Sequence, residues 1–217
     1  MIARVRPCRV GGWIPIPGEH YFTKTPTSAR SEREITVDSR GRRLKFVTDA
    51  GVFAKGRLDR GTRLLIETMD LSKGDIVLDL GCGYGPIGIV AATMLPSGKV
   101  YMVDINERAC ELAARNIIVN GLANAEVRCG DGFRPVEGMK FDVILSNPPI
   151  RAGKSTVFSL IEDAARHLKP GGRLVIVART KQGAKSILGK MAEVFPRVEE
   201  VAKGGGYRVM QGLAGQS

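Results

Sequence analysis

The fold of this 217-residue chain is decided by one stretch, Val77-Leu78-Asp79-Leu80-Gly81-Cys82-Gly83-Tyr84-Gly85. Its first residues form a short apolar run that is typical of a buried strand, and the run leads into a glycine-rich turn. Glycines there let a ligand lie against bare backbone, and a helix that follows the turn offers unpaired N–H groups to a polar or anionic group. A strand, a glycine turn and a helix in this order predict the first unit of an α/β sheet.

Short apolar runs alternate with helix-length segments from Asp75 onward, which is typical of a parallel sheet with crossover helices. Pro170-Gly171-Gly172 is expected to end the third helix. The predicted strands of this part are 76–80, 100–103, 125–128, 141–145 and 174–178, and the predicted helices are 86–94, 107–120, 155–168 and 182–194.

Two hairpins are predicted outside this alternation. Runs 198–201 and 207–210 are joined by Lys203-Gly204-Gly205-Gly206, a connection suited to an antiparallel hairpin at a sheet edge. Alternating segments 34–37 and 43–47 around Ser39-Arg40-Gly41 predict a second hairpin, and a helix over 60–69 leads into the sheet. We therefore expect a doubly wound, mostly parallel, seven-stranded α/β sheet with an antiparallel edge hairpin, plus a small N-terminal β-hairpin lobe.

The length is consistent with one domain, and we expect its boundaries as follows. Residues 1–18, rich in Pro and Gly, form an irregular extension. Residues 19–217 form one domain, divided into an N-terminal lobe over 19–72 and a ligand-binding core over 73–217.

Composition excludes several classes of protein. A hydrophobic content of 43%, a charged content of 25% and a mean hydropathy of -0.04 are ordinary globular values, which argues against a disordered or fibrous chain. No apolar run approaches the roughly 18 residues of a membrane helix, and residues 1–13 lack the apolar core of a signal peptide, so a cytoplasmic protein is expected. Neither a disulfide framework nor a zinc site is expected from the four separated cysteines, Cys8, Cys82, Cys110 and Cys129.

The net charge of +11 is unevenly distributed. Residues 1–60 carry 13 Lys and Arg against 6 acidic residues, residues 61–150 carry 8 against 11, and residues 151–217 carry 12 against 5. Basic flanks around a mildly acidic middle suggest that the flanks meet a polyanion; generic solubilising charge is the alternative.

The carboxylate of Asp79 indicates the charge of the ligand at the glycine turn. Gly83, Gly85 and Gly88 match the G-x-G-x-x-G pattern of dinucleotide sites, and Asp104 follows about 20 residues on. A carboxylate inside the strand and aimed at the turn, however, would repel a pyrophosphate and attract the ammonium of an amino acid. S-adenosylmethionine has such an ammonium, together with a ribose diol and an adenine.

Two further carboxylates follow the next strands. Asp104 closes the second strand, where it can accept both ribose hydroxyls; a helix N-cap is the alternative. Asp131 follows the third strand and could bind the adenine amino group, with Phe133 or Ile105 covering the ring; an Asp-Gly turn is the alternative. The expected cofactor residues are Asp79, Gly81, Gly83, Gly85, Asp104, Ile105, Asp131, Gly132, Phe133 and Asn147.

The fourth strand ends in Ser146-Asn147-Pro148-Pro149-Ile150. Prolines Pro148 and Pro149 fix the backbone so that the side-chain oxygen of Asn147 and the carbonyl of Pro148 can converge on one planar N–H₂ group. A simple strand terminator is the alternative. A catalytic role is favoured because the segment ends a later strand of the same sheet that carries the glycine turn. We therefore expect Asn147, Pro148 and Pro149 to form the catalytic group.

Several motifs together resemble one family. They are Glu19-His20-Tyr21-Phe22, Thr48-Asp49-Ala50-Gly51-Val52-Phe53, Asp59-Arg60-Gly61-Thr62, the glycine turn, and Asn147-Pro148-Pro149-Ile150-Arg151-Ala152-Gly153-Lys154. Residues from about 19 to 212 resemble class I methyltransferases of the RsmC-like small-domain family, which modify guanine N2 in small-subunit ribosomal RNA. The last octet is similar to that of compact, single-domain archaeal and bacterial members.

The resemblance implies roles for residues of this chain. Asn147 and the Pro148 carbonyl would hold the guanine amino group, without a general base, so His20 and His167 are expected to be structural. Longer relatives usually have Phe where this chain has Ile150, and isoleucine cannot stack on a base as an aromatic ring does. Phe53 and Tyr84 are therefore the candidates for stacking on the base, and Ile150 is expected to be a further substrate contact. Arg151, Lys154 and Lys181 would bind RNA phosphates.

Other functions remain open at this stage. Protein glutamine and adenine N6 also present planar N–H₂ groups to an Asn-Pro-Pro site, although basic flanks favour nucleic acid. A non-catalytic RNA-binding protein and a nucleotide-linked dehydrogenase are the alternatives from other classes. The expected partners are S-adenosylmethionine and RNA, with no membrane and no metal, and a monomer is favoured over a stable oligomer.

Overall fold

The computed structural model describes residues 30–49, 52, 58–150 and 153–216. A hairpin of β1 (Arg33–Ser39) and β2 (Arg42–Thr48) stands apart from a seven-stranded sheet. The helices are α1 (Arg60–Thr68), α2 (Pro86–Met94), α3 (Glu107–Val119), α4 (Lys154–His167) and α5 (Lys185–Val194). The strands of the large sheet are β3 (Ile76–Leu80), β4 (Lys99–Asp104), β5 (Ala125–Cys129), β6 (Phe141–Ser146), β7 (Leu168–Arg179), β8 (Arg197–Gly204) and β9 (Tyr207–Leu213).

The strand order of the large sheet is β5-β4-β3-β6-β7-β9-β8. Strands β3 to β7 pair in parallel, whereas β9 pairs antiparallel with β7 and β8 at the edge. Strand β3 pairs with β4 on one side and with β6 on the other. The strand order therefore reverses at β3, which leaves a crevice outside the carboxyl ends of β3 and β6. The predicted fold class is confirmed, while residues 1–18 and the start of the N-terminal lobe lie outside the described residues.

The glycine turn and α2 are joined by close backbone approaches. Gly85 has a left-handed φ of 90° and Pro86 is the first helical residue, which suits its fixed φ. A Cβ on Gly88 would lie 2.4 Å from the sulfur of Met102 on β4, so a larger residue here would displace the buried side chain of Met102.

Alternate residues of β3 face opposite layers of the core. Val77 packs in the cluster with the N-terminal hairpin, α2 and α3, whereas Leu78 and Leu80 pack in the cluster with α4 and α5. Asp79 therefore shares the face of Val77 and meets α2, where its Oδ2 accepts a hydrogen bond of 2.8 Å from the Gly88 amide.

Two predicted boundaries are wrong. The strand predicted over 174–178 begins at Leu168 as β7, so Pro170-Gly171-Gly172 lies inside this strand, at an irregularity in its pairing with β6. The tail after β9 supplies its backbone partners, because Gly171 N donates to the carbonyl of Gly215 at 2.9 Å. The last helix starts at Lys185 rather than at 182, because Gly183 adopts a φ of 100° within an irregular turn over 180–184.

The N-terminal hairpin is attached to the core by side chains that bind backbone groups. Arg40 follows β1 and donates to the carbonyls of Ile66, Glu67 and Met69 at the end of α1. No helix of the described part of the chain is long and apolar enough to cross a membrane.

Asn116 of α3 makes the second attachment. Its Oδ1 accepts from Val47 N at 2.7 Å, and its Nδ2 donates to the carbonyls of Val47 and Tyr84, both at 2.9 Å. This fully buried amide joins the hairpin to the glycine turn.

We expect Asn116→Ala to lower the free energy of unfolding by about 3 kcal/mol, because three buried backbone groups lose their partner. Asn120→Ala is the matched control, since Asn120 makes the same pair of bonds to the backbone of Lys45 at a site that solvent reaches. Urea denaturation measures the free energy of unfolding of both variants. An equal decrease in the two variants would contradict the role of Asn116 as a buried link between the hairpin and the glycine turn.

Candidate active site

A cleft of about 1070 Å³ opens at the carboxyl ends of β3 to β6. Its walls come from the glycine turn, the loops after β4, β5 and β6, helix α4 and the start of α1. Most of the expected cofactor residues line it: Gly81, Gly83, Asp104, Ile105, Asp131, Gly132, Phe133 and Asn147. Gly85 and Asp79 lie behind this wall.

Asp104 holds the glycine turn in place. Its Oδ2 accepts from Gly83 N at 2.8 Å and its Oδ1 accepts from Asn106 N at 2.9 Å. Burial raises the pKa of Asp104, while these amide donors oppose the increase. The N-cap of α3 is Asn106, whose side chain accepts from Ala109 N at 3.1 Å, so Asp104 does not cap the helix. Asp104 itself lines the cleft, and each of its carboxylate oxygens has a further lone pair that can accept a hydrogen bond from a ligand.

Asp79 lies beneath the glycine turn and does not itself line the cleft. Its side chain is fully buried beneath the turn, and its Oδ1 has no hydrogen-bond partner among the described residues. Burial raises the pKa of Asp79 to about 7, the Gly88 amide lowers it and the charge of Asp104 raises it further. An unpaired carboxylate oxygen below the turn favours a cation above it.

The far end of the cleft is closed by an aromatic pair. Phe133 is 7% exposed and stacks on His167 of α4, with ring centroids 4.4 Å apart and planes at 20°. Asp131 and Gly132 belong to the same loop. His167 was expected to be only structural, and the structure places it on the wall.

Helix α4 forms one wall of the cleft, which the sequence analysis did not predict. The helical spacing of the lining residues was the available signal, because it places them on one face of α4: Thr156, Ser159, Leu160, Asp163 and His167.

Asn147 stands where β6 meets the cleft. Ser146 anchors the strand end, because its Oγ donates to the carbonyl of Leu80 at 2.8 Å. The Nδ2 of Asn147 donates to Thr62 Oγ1 at 3.0 Å and lies 3.5 Å from Asp59 Oδ2. The amide nitrogen is thus engaged by α1 and its cap, which leaves the Oδ1 acceptor for a ligand. Pro149 lines the cleft beside Asn147, whereas Pro148 is buried.

The sequence gives no role to Thr62 or Asp59. Its one signal for them is the motif Asp59-Arg60-Gly61-Thr62, which contributes to the family resemblance.

The expected substrate residues are placed differently from one another. Tyr84 lines the cleft, but it is 2% exposed and packs edge-on against Phe46, so it offers no free face for a base and is not the stacking residue. Its hydroxyl is buried without a partner among the described residues. Ile150 faces the irregular turn over 180–184, where a Cβ on Gly183 would lie 3.6 Å from it.

Lys154 and Lys181 are both exposed. Lys154 begins α4, and Lys181 belongs to the irregular turn. Phe53 and Arg151 lie outside the described residues. No group of three or more His, Cys, Asp or Glu side chains in the described ranges is arranged to hold a metal ion.

A family model described as the methyltransferase small domain matches residues 43–211. The chain belongs to the methyltransferase small domain family. As a member of it, the protein is an S-adenosylmethionine-dependent methyltransferase, and the cationic ammonium of that cofactor suits the unpaired carboxylate oxygen of Asp79.

Two relatives show how this chain compares with other members of the family. The chain is 40% identical over 195 residues to the uncharacterised protein YbxB of Bacillus subtilis, covering 89% of this chain and 97% of the relative. It is 47% identical over 133 residues to ribosomal RNA small subunit methyltransferase C of Mannheimia succiniciproducens, covering 59% of this chain and 39% of that protein.

A solved structure shows the same fold. It is the 16S rRNA N2 G1207 methyltransferase RsmC of T. thermophilus in complex with AdoMet and guanosine, at a TM-score of 0.76 and 25% identity, covering 87% of this chain and 52% of that one. The chain therefore spans about half the length of that enzyme and less of the Mannheimia relative.

Because the folded pKa of Asp79 lies near 7 and the unfolded value near 4, the folded state binds more protons between these limits. The stability contribution of Asp79 is therefore greatest at low pH and falls as the pH rises to about 7. We expect the parent to lose about 2 to 3 kcal/mol of unfolding free energy between pH 5 and pH 8 relative to Asp79→Asn.

Urea denaturation of both proteins at several pH values measures this loss. If the difference in unfolding free energy between the parent and Asp79→Asn does not change with pH, the raised pKa of Asp79 is contradicted. S-adenosylmethionine should also bind the parent more tightly as the pH rises through 7, since its cation favours the ionised carboxylate, and this dependence should vanish in Asp79→Asn.

Proposed function

We propose that this methyltransferase acts on the N2 amino group of a guanine in small-subunit ribosomal RNA. The orientation of the Asn147 amide carries the proposal, because its nitrogen is engaged by Thr62 and its oxygen is available to accept from an N–H₂ group. The fold shared with a guanine-N2 ribosomal RNA methyltransferase supports this target. Such a substrate would place the enzyme in the cytoplasm, and we propose that it acts as a monomer.

The glycine turn and the strand ends would hold the cofactor. Asp104 would accept hydrogen bonds from the ribose hydroxyls, Asp131 would bind the adenine amino group, and Phe133 and Ile105 would contact the adenine ring. The amide groups of the glycine turn and the negative charge of Asp79 would bind the amino-acid end. When bound, S-adenosylmethionine supplies a methyl group on a sulfonium, which is the electrophile of the reaction.

Asn147 prepares the nucleophile. The lone pair of a guanine amino group is delocalised into the ring, so transfer needs the nitrogen to be aligned with the methyl group. The Asn147 Oδ1 and the Pro148 carbonyl would accept the two amino hydrogens, which orients the nitrogen and stabilises positive charge as it develops. A strong general base is unnecessary, because a methylated cationic nitrogen loses its proton readily.

The target is tested by incubating the purified protein with S-adenosylmethionine labelled on its methyl group, in the presence of small-subunit ribosomal RNA. Mass spectrometry of the nucleosides should find the label in N2-methylguanosine. Label in N6-methyladenosine, or in glutamine when ribosomal proteins are supplied, would replace the proposed target.

We expect Asn147→Ala to reduce turnover about 10²- to 10³-fold, because a preorganised acceptor at the developing charge is lost. The affinity for S-adenosylmethionine should stay within about twofold, since the cofactor keeps Asp104 and the glycine turn. Calorimetry and the nucleoside assay measure the two effects separately. Turnover near the parental level would remove Asn147 from its catalytic role.

RNA phosphates are the proposed partners of the exposed lysines near Ile150. Neither Lys154 nor Lys181 has an acidic partner among the ion pairs of the described residues. Single changes of either residue to Gln should lower the slope of log affinity against log salt by roughly 0.7 to 0.9 per lost phosphate contact.

The matched control is Lys73→Gln, because Lys73 is exposed before β3, at the opposite edge of the sheet. Binding of each variant to ribosomal RNA fragments at several salt concentrations gives the slopes. Slopes for the Lys154 and Lys181 variants equal to the Lys73 slope would move the RNA contact elsewhere.

A further inference from the structure

Two residues outside the large sheet contact the proposed catalytic amide. Thr62 lies in the first turn of α1, is 3% exposed, and accepts from Asn147 Nδ2 at 3.0 Å. Asp59 is the N-cap of α1, and its Oδ2 lies 3.5 Å from the same nitrogen. Thr62 also lines the cleft.

The carboxylate of Asp59 is held rigidly. Its Oδ2 accepts from Gly61 N at 2.8 Å and from Thr62 N at 3.2 Å, as an N-cap does. Its Oδ1 accepts from the hydroxyl of Tyr207 at 3.2 Å. Tyr207 in turn accepts from Arg179 Nε at 2.9 Å, so the cap is anchored to β9 and β7.

This anchoring depends on a close approach of α1 to the sheet. A Cβ on Gly61 would lie 2.6 Å from the ring of Tyr207, so glycine at this position lets the first turn of α1 rest against β9. The first turn of α1 therefore reaches Asn147 in a defined position.

An asparagine amide has two ends of nearly equal size and opposite polarity. A hydroxyl such as that of Thr62 can either donate or accept, so by itself it does not select the end of the amide that faces it. The negative oxygen of Asp59 does select, because it attracts the Nδ2 hydrogens and repels the Oδ1 lone pairs. With the nitrogen turned toward α1, the acceptor oxygen is turned toward the ligand.

We propose that Asp59 and Thr62 are positioning residues that hold the Asn147 amide with its oxygen toward the target amino group. The reverse orientation would present hydrogen-bond donors to a group that needs an acceptor, and would not support transfer. This inference rests on the proposed function for the identity of the target, but not for the orientation of the amide.

The variant that tests the pair is Thr62→Val, which keeps the shape and removes the hydroxyl. Loss of one such hydrogen bond should lower kcat about 3- to 10-fold, with the KM for RNA and the Kd for S-adenosylmethionine unchanged. Thr62→Ser, which keeps the hydroxyl, should restore kcat. Asp59→Asn should lower kcat similarly, because asparagine still caps the helix but no longer repels the wrong end of the amide.

Thr68→Val is the matched control. Thr68 is the last residue of the same helix, and its hydroxyl donates to the carbonyl of Leu64 at 2.7 Å within that helix. This variant should leave kcat unchanged, whatever it does to stability. If Thr68→Val lowers kcat as much as Thr62→Val, the effect is one of stability and the proposal fails. If Thr62→Val weakens S-adenosylmethionine binding as much as it slows turnover, Thr62 is a cofactor ligand and the proposal also fails.

A second measurement separates this inference from the proposed target. In ¹H–¹⁵N spectra of the whole protein, the side-chain amide of Asn147, assigned by its loss in Asn147→Ala, should show one hydrogen protected from exchange. Thr62→Val should remove that protection and Thr62→Ser should keep it. Equal exchange in the parent and Thr62→Val would overturn the positioning role, whereas a parent that shows protection but methylates another group would overturn only the target.

Discussion

The parallel pairing of β3 with both β4 and β6 is the constraint on which the site depends. It brings the carboxyl ends of these strands to one edge, and the hydrogen bond from Ser146 to the Leu80 carbonyl ties two of them together. The glycine turn and Asn147 follow two of these ends, and Asp104 is the last residue of the third strand, β4. These groups are therefore adjacent as soon as the sheet forms.

The electrostatics of the site are opposite to those of the whole chain. The protein carries a net charge of +11, yet its cleft is lined by the half-buried carboxylate of Asp104, and the buried carboxyl group of Asp79 lies beneath the glycine turn. Burying an ionised carboxylate is costly, and backbone amides offset only part of that cost. A cationic cofactor offsets this negative charge, and the excess positive charge of the chain suits the proposed RNA substrate.

The N-terminal lobe contributes to the site as well as to stability. Asn116 binds the hairpin to the glycine turn, and Arg40 binds it to the end of α1. The other end of α1 supplies Thr62 to the cleft. The position of α1 is therefore set by contacts at both ends, and a shift of the lobe would move a residue that touches Asn147.

Local patterns were sufficient for much of the fold. Strand β3 and helix α2 were predicted with their observed ends, because an apolar run, a glycine turn and a proline at the helix start are strong local signals. The early start of β7 was missed, because the backbone partners of Pro170-Gly171-Gly172 come from residues after β9, which no local pattern contains. The α4 face was present in the spacing of its residues, but only the packed helix shows that it borders the cleft.

The sequence by itself determined the order of the elements, the chemistry of the strand ends and the acidic character of the cofactor site. The tertiary structure decided how those groups are used. It placed Asp79 beneath the turn because alternate residues of β3 face opposite layers, and it set the Asn147 amide nitrogen against Thr62 and Asp59, which lie 85 and 88 residues earlier in the chain. Residue types and local conformation are encoded in short stretches, whereas the partner of a buried polar group is chosen only when distant segments pack together.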